Sequence, residues 1–464
     1  MLNEGQSLWD FLAAGGPPVG RLRGARHEFV LGDLAGGSCL GRDLEQLRGR
    51  SVLVAAHDQL SAALALIELD GVAQRMVLCT PDLADEHFPA LIRTAGADAC
   101  VVDGGTSAAA TVGMKTIVTA SPRLQPQAAA RRSSGSTEWV LLTSGTTGAP
   151  KLVLHTLASL MSALAGAARP PQPLVWSTFY DIRRYGGLQI FLRGLHAGSL
   201  VLSEAKEPVE DFLKRVAVAD VTHISGTPSH WRKALMSGAA GRIAPRYVRL
   251  SGELADQAIL DSLKATFPQA TVAHAFASTE AGVAFEVRDG RAGFPEEWLG
   301  ARGGRVELRV THETLQIRSP GAAQRYLGDE AEPLRQPDGF VDTGDRIELR
   351  EGRCYFAGRR GGVINVGGQK VYPEEVEAVI NTHPRVRMSL VKARRNAITG
   401  AIVTADVVLT GESADPGQPS VPVLTRELTE LCKASLAAHK VPAMIRVVPS
   451  IEVSPAGKLV RPRA

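Results

Sequence analysis

Three short apolar runs, SVLVAA (51–56), MVLCT (76–80) and ACVVDG (99–104), alternate with longer stretches of helical apolar spacing, one ending near Leu69 and one near Thr94. Runs of this length suit strands buried on both faces, and a strand reaches a parallel neighbour only through a crossover long enough to hold a helix. The β-α-β-α-β rhythm therefore commits the early chain to a parallel, twisted sheet with helices packed against it, an α/β architecture. A second unit repeats the logic. RYVRLSGE (246–253) reads as a strand, LADQAILDSLKATF (254–267) as a helix and TVAHAFASTE (271–280) as another strand. Parallel strands finish at one sheet edge, where open α/β sheets bind ligands, so Gly252, Glu253, Ser278, Thr279 and Glu280 should converge on one crevice. Plain loop capping is the competing reading of these residues.

Beyond residue 300 the pattern shortens. GRVELRV, ETLQIRS, RIELR and RCYFAG alternate with period two, and Glu351-Gly352 reads as a hairpin turn, which makes a small antiparallel subdomain. A glycine-rich passage, GRRGGVINVGGQK (358–370), leads into YPEEVEAVI, a helix with Pro373 in its first turn, Glu374 and Glu375 at its positive end and Val376, Val379 and Ile380 on one face. Strands VRMSLVKA, AIVTADVVL and AMIRVVP and a helix after Thr425 complete a compact α+β unit. The boundary is placed near Arg360, giving a large domain over 1–359 and a small one over 360–464.

The segment LLTSGTTGAPK (141–151) concentrates glycines, hydroxyls and one lysine. Such a loop turns backbone N–H groups inward and suits a polyanion such as a triphosphate. It is not a Walker loop, because Ala149 and Pro150 stand where Gly-Lys-Ser/Thr would be needed, and an ordinary surface turn is the alternative. With 464 residues, 44% hydrophobic and 22% charged, the chain is of ordinary globular composition. A net charge of +4, with Lys and Arg scattered among acids, gives no nucleic-acid surface, and no uncharged apolar run is long enough to span a bilayer. The start carries acidic residues and lacks the basic opening of a secretion signal. Cys39, Cys79, Cys100, Cys354 and Cys432 are odd in number and far apart, so neither a disulfide framework nor a zinc site is expected, and a reduced, cytoplasmic setting fits.

Taken in order, the loop at 141–151, Phe276-Ala277-Ser278-Thr279-Glu280, Thr343-Gly344-Asp345, Gly358-Arg359 and Gly457-Lys458 resemble the adenylate-forming superfamily of acyl-CoA and aryl-CoA synthetases, carrier-protein adenylation domains and luciferases. In style the chain is most similar to an acid–CoA ligase. The resemblance covers roughly residue 139 to the C-terminus and is less distinct over 1–130, where part of the N-terminal sheet is expected to be trimmed. It implies that a carboxylic acid is joined to the α-phosphate of ATP, that pyrophosphate leaves, and that the acyl group passes to a thiol of coenzyme A or of an acyl carrier protein. It further implies that Thr143, Ser144, Gly145, Thr146, Thr147, Gly148 and Lys151 hold the β- and γ-phosphates, that Thr279 touches the α-phosphate and that Glu280 holds Mg²⁺. Gly252, Glu253, Phe276, Ala277 and Ser278 fall on the nucleotide crevice, and Asp345 is expected on the ribose hydroxyls. Lys458 is the expected catalytic lysine, carried by a small domain that rotates after adenylation to present Gly367 and Gly368 to the thiol; Arg359 stays near the phosphates and Lys370 holds a position that is often basic.

Two departures stand out. Gly361 occupies a hinge position where an aspartate or lysine is common. In STFYDIRRYGGLQIFLRGLHAGSLVL (177–202), which resembles the acyl-pocket segment, Arg183 and Arg184 stand where an aromatic or histidine is frequent. Tyr180, Arg184 and Gly187 are the expected acid contacts; adjacent arginines either meet a second acidic or polar group of the substrate or point to solvent. Carrier-protein domains that activate α-amino acids usually show an aspartate in this region; Asp181 is close but not clearly in that register, which favours a non-amino carboxylic acid. A stand-alone enzyme loading a carrier protein and a catalytically silent nucleotide-binding relative are the competing functions, and the chain is expected as a monomer or a homodimer.

Overall fold

The computed structural model describes residues 6–14, 18–127, 135–143, 150–301, 303–328, 332–396, 399–410 and 420–461. Its first sheet has seven strands. Glu138–Thr143, Arg75–Leu78, Ser51–Val54, Ala99–Val102 and Thr116–Thr119 run parallel in that spatial order, and the antiparallel strands Lys151–Thr156 and Arg325–Tyr326 extend one edge. The expected rhythm is thus present, with helices Gln59–Leu69 and Phe88–Ala95 as its crossovers. A second sheet of eight strands is parallel through its middle, and its unit of Tyr247–Ser251, Gln257–Thr266 and Thr271–Ser278 pairs Tyr247 with Thr271 and Ser251 with Ala275.

One core joins the two sheets. Val52, Met76 and Leu141 of the first pack in the same cluster as Leu200 of the second and Leu188, Ile190 and Phe191 of helix Tyr185–Ala197. All eleven residues of Gln59–Leu69 are buried, as a helix between two layers requires. Within it Glu68 is tolerated because Ser38 donates its hydroxyl and Cys39 its N–H to the carboxylate. Strands Phe294–Pro295, Arg353–Arg359, Val341–Arg350, Thr314–Arg318 and Glu307–Thr311 form a five-stranded antiparallel sheet around Phe294, Leu315 and Ile317. Glu351 and Gly352 both take positive φ, 48° and 73°, at its tight hairpin.

The segment after Arg359 builds a separate apolar cluster from Val371, Val376, Ile380, Val391, Val407, Leu424 and Leu428. It covers a sheet of Val386–Asn396, Gly400–Leu409 and Met444–Val447 with helices Pro373–Ile380 and Val421–Ser435. Among the described residues no helix is long and apolar enough to cross a membrane.

Candidate active site

The crevice forms where the parallel strands of the second sheet end. Gly252 follows Ser251 with φ of 86°, and a Cβ there would lie 3.6 Å from Cε of Lys458, 3.7 Å from the Thr227 methyl and 4.0 Å from the Tyr180 hydroxyl. Tyr180 is buried and donates its hydroxyl to the Ser251 carbonyl at 2.6 Å, and burial pushes its phenol up. The lysine thus reaches the crevice from the far end of the chain.

Its loop is held by main-chain contacts. The Thr227 hydroxyl donates to the carbonyl of Gly457, and the N–H of Leu459 donates to Glu253 Oε1 at 2.9 Å. Glu253 Oε2 accepts the N–H of Ser229 at 2.9 Å. The His230 ring stacks on Phe179 at 5.4 Å and meets Tyr180 edge-on at 5.6 Å. Burial, reinforced by Lys233, pushes its imidazole down to about 3, so it is neutral. Lys458 keeps solvent access at the cleft mouth, yet protein on its other sides desolvates the ammonium. Its pKa is lowered by that burial first and by Arg359 second, while Glu253 and Asp345 pull it back up.

Asp345 and Arg359 face each other across an antiparallel pair, with Nε 3.2 Å from Oδ1, and Arg359 also donates to the Thr343 carbonyl at 3.0 Å. Burial raises the Asp345 carboxyl, and Arg359 and Thr343 oppose it. On the other flank Lys151 pairs with Thr143 at the base of the glycine loop, and its Nζ sits 5.0 Å from the centroid of the Tyr326 ring. The Tyr326 hydroxyl donates to Glu280 Oε1 at 3.2 Å, so Lys151, Tyr326 and Glu280 form one cluster. Ser144, Gly145, Thr146, Thr147 and Gly148 lie outside the described residues.

The strand bearing Phe276 has a register shift between Phe276 and Ala277, which re-aims the residues that follow. Phe276 stacks on Phe356 at 5.1 Å, and the Ser278 hydroxyl accepts the N–H of Ala281 at 3.0 Å. The Thr279 carbonyl accepts Nε2–H of His155 at 2.8 Å, and burial holds that imidazole at about 4.

The expected pocket arginines have separate fates. Arg183 is buried, clamps Asp181 through Nε at 2.8 Å and Nη2 at 2.6 Å, and donates to the carbonyls of Ala56 and His57. Burial alone would raise the Asp181 carboxyl, but Arg183 outweighs it and the net shift is downward. Arg184 is half-buried on Asp82 at 2.6 Å and contributes to the positive field at Lys458. Gly187 is a close-packing point, since a Cβ there would stand 2.1 Å from the Asp181 carbonyl oxygen. Gly367, Gly368 and Lys370 lie on an exposed hairpin between Ile364–Val366 and Gln369–Val371, where the N–H of Gly367 donates to the Thr399 carbonyl at 2.9 Å. Gly361 is exposed, has open space around it and does not take positive φ.

Thr227, His230, His155 and Tyr326 escaped the sequence reading. Thr-Pro-Ser-His at 227–230 does carry a helix-start signature, with Thr227 as N-cap and Pro228 at the first turn. Nothing local marks the other two.

A two-sheet α/β domain whose crevice receives a lysine from a small α+β unit is the architecture of adenylate-forming enzymes. The chain belongs to the AMP-binding enzyme family: the model of that family matches residues 50–324, and that of the AMP-binding enzyme C-terminal domain matches 375–458. It is 33% identical to a 2-succinylbenzoate–CoA ligase of Salmonella typhimurium over 260 residues, 54% of this chain and 53% of that protein. It is 27% identical to the 2-succinylbenzoate–CoA ligase of Bacillus subtilis over 345 residues, 70% of this chain and 68% of that one. Among solved structures it resembles an anthranilate CoA ligase in complex with anthranoyl-AMP (TM-score 0.77, 17% identity, 99% and 96% of the two chains). It also resembles the o-succinylbenzoate CoA synthetase of Bacillus subtilis holding its acyl-adenylate (TM-score 0.74, 21% identity, 99% and 97%).

Proposed function

We propose that the chain is an AMP-forming acid–CoA ligase acting on an aromatic carboxylic acid that bears a second acidic group. The carrying observation is Lys458 at the mouth of the crevice, beside Gly252 and within the field of Asp345, Glu253 and Arg359. In the first step a carboxylate oxygen attacks the α-phosphorus of ATP and the bond to pyrophosphate breaks. Two anions must approach, so fixed positive charge at that point lowers the barrier. Lys458 supplies it, Thr279 contacts the α-phosphate, and Thr143, the loop to Gly148 and Lys151 hold the outer phosphates. Asp345 receives the ribose hydroxyls, with Gly252, Phe276, Ala277 and Ser278 beside the nucleotide. In the second step the thiol sulfur of CoA attacks the acyl carbonyl and AMP leaves. Rotation about the Arg359–Arg360 link, taken as the domain boundary, brings Gly367, Gly368 and Lys370 toward that thiol.

Magnesium fits this site. Glu280 offers one half-buried carboxylate, and no group of three His, Cys, Asp or Glu able to hold a metal exists among the described residues. Mg²⁺ takes one or two carboxylates and completes its shell with phosphates and water. Bound there it would offset triphosphate charge.

The second acidic group is supported by the relatives' named substrate and by an unusual charge balance. Tyr247, Arg249 and Ser251 share one face of their strand, so Arg249 lies roughly 7 Å from Ser251, which precedes Gly252 of the crevice. Arg249 is 2% exposed, and Arg193 of helix Tyr185–Ala197 is close enough that the two guanidiniums repel. Glu286 stands 3.2 Å from Arg249 but also serves Arg288. Arg249 Nη2 and Arg193 Nε have no hydrogen-bond partner among the described residues. Buried surplus positive charge is costly, and a carboxylate at that depth would offset it. The five buried cysteines, none of them in a disulfide, support a cytoplasmic setting.

The test is ATP–pyrophosphate exchange with benzoate, anthranilate, 2-succinylbenzoate and short mono- and dicarboxylic acids, followed by CoA thioester analysis. The expected result is exchange with aromatic acids and a CoA product. Exchange with no acid refutes the ligase; acyl transfer only to a carrier protein refutes CoA as acceptor.

A further inference from the structure

We propose that Glu253 is a positioning residue for the adenylation half-reaction: its carboxylate latches the lysine loop to the large domain and must let go before the thiol reacts. The inference rests on the ligase reading above.

The two oxygens of Glu253 receive N–H groups from opposite sides of the interface, Ser229 at 2.9 Å and Leu459 at 2.9 Å. On the other side of Lys458, the Gly457 carbonyl takes the Thr227 hydroxyl. Both neighbours of the lysine are therefore gripped through their main chain, which fixes the peptide that carries the side chain rather than the side chain itself. Packing adds to the grip, because a Cβ on Gly457 would lie 1.8 Å from Cε1 of His230. The loop lies against the helix start at Thr227–His230 with no room for a larger residue.

A second attachment lies on the same face. Asn381 donates Nδ2–H to Asp256 Oδ2 at 2.9 Å, and that oxygen also receives Arg232 at 2.6 Å. Asn381 is held in turn by the Ser389 hydroxyl at 2.8 Å. One contact leaves a rigid body free to pivot; two separated contacts, together with the covalent link after Arg359, fix its orientation. A large rotation about that link therefore breaks the attachments. Interactions made in only one of two states change only the step that uses that state, so the latch should matter to adenylation and be dispensable for thioester formation.

The experiment separates the two halves. Wild type, Glu253→Gln and Asn381→Asp are compared in ATP–pyrophosphate exchange and in single-turnover thioester formation from a supplied synthetic acyl-adenylate plus CoA. Glu253→Gln is expected to slow exchange roughly 10- to 100-fold, the size of one lost hydrogen bond to a charged group. Thioester formation, measured at saturating acyl-adenylate so that any change in adenylate affinity drops out, should fall much less than exchange. Asn381→Asp sets a second carboxylate against Asp256 only when the loop is latched, and should show the same split; it decides the matter if Glu253→Gln fails to fold in thermal unfolding. Equal losses in both half-reactions, or unchanged exchange in both variants, overturn the latch alone. Wild-type protein that exchanges with no acid refutes the ligase reading and the latch with it.

Discussion

Asp345 carries Arg359 on its Oδ1 at 3.2 Å, the two residues standing directly opposite each other in neighbouring antiparallel strands. The carboxylate proposed to receive the ribose hydroxyls is thus half engaged by a cation. Asp345→Asn would keep its shape and remove its charge. We expect the KM for ATP to rise roughly 10- to 100-fold, from the loss of about 1.5–3 kcal/mol in charged hydrogen bonding. Exchange kinetics at varied ATP will show it, and an unchanged KM would remove Asp345 from the ribose site.

The ammonium of Lys458 sits among protein atoms beside Arg359, and both effects lower its pKa. The role proposed for it needs the cation, so activity should be full below that lowered value and fall as pH rises through it. The alkaline limb of the exchange rate will then begin below the ordinary lysine range near 10.4. Lys458→Ala should lose roughly 10² to 10³ in rate, the usual cost of one preorganised donor. Lys458→Arg should lose the alkaline limb even if it is slow, because guanidinium does not titrate there.

Asp70 supplies a stability test. It is buried, accepts the N–H of Leu8 at 2.6 Å and that of the Trp139 indole at 2.8 Å, and burial raises its carboxyl to about 6 despite those bonds. Between pH 4 and 6 the folded state then holds more proton than the unfolded state, so stability contributed by this group falls as pH rises. At pH 7 the ionised, buried group costs on the order of 3 kcal/mol relative to acid conditions. Urea unfolding at pH 5 and pH 7 should show wild type losing more stability on going to pH 7 than Asp70→Asn. A similar loss in both would place the effect on other carboxylates.

The parallel unit at 246–280 was legible because strand and helix differ in apolar period, and the antiparallel sheet beyond 300 because period two is hard to mistake. Helix Gln59–Leu69 was harder to read than to place: buried on every side, it has no polar face to set its phase. Side-chain direction was not legible at Arg183 and Arg184. Adjacent in sequence, they diverge at a helix start, one clamping Asp181 and the other Asp82. Nor could spacing reveal Tyr326 against Glu280, or Leu459 against Glu253, partners 46 and 206 residues apart. Motifs mark residues whose chemistry is special in itself; the groups that hold them are chosen by the fold.

Arg193 offers the sharpest reading of substrate. If its guanidinium, with that of Arg249, meets a second carboxylate, then Arg193→Met removes a charge-assisted hydrogen bond made only by diacids. The expected loss in kcat/KM is roughly 10- to 100-fold for 2-succinylbenzoate and little for benzoate. Stability should hold or improve, because Met fits a buried site without the repulsion from Arg249. The comparison is made within one variant, between acids that share the aromatic ring, the diacid adding an oxobutanoate chain with its second carboxylate. Equal losses for mono- and diacid would show that Arg193 supports the pocket wall and reads nothing, and the second acidic group would then have to be sought at Arg184, half-buried on Asp82.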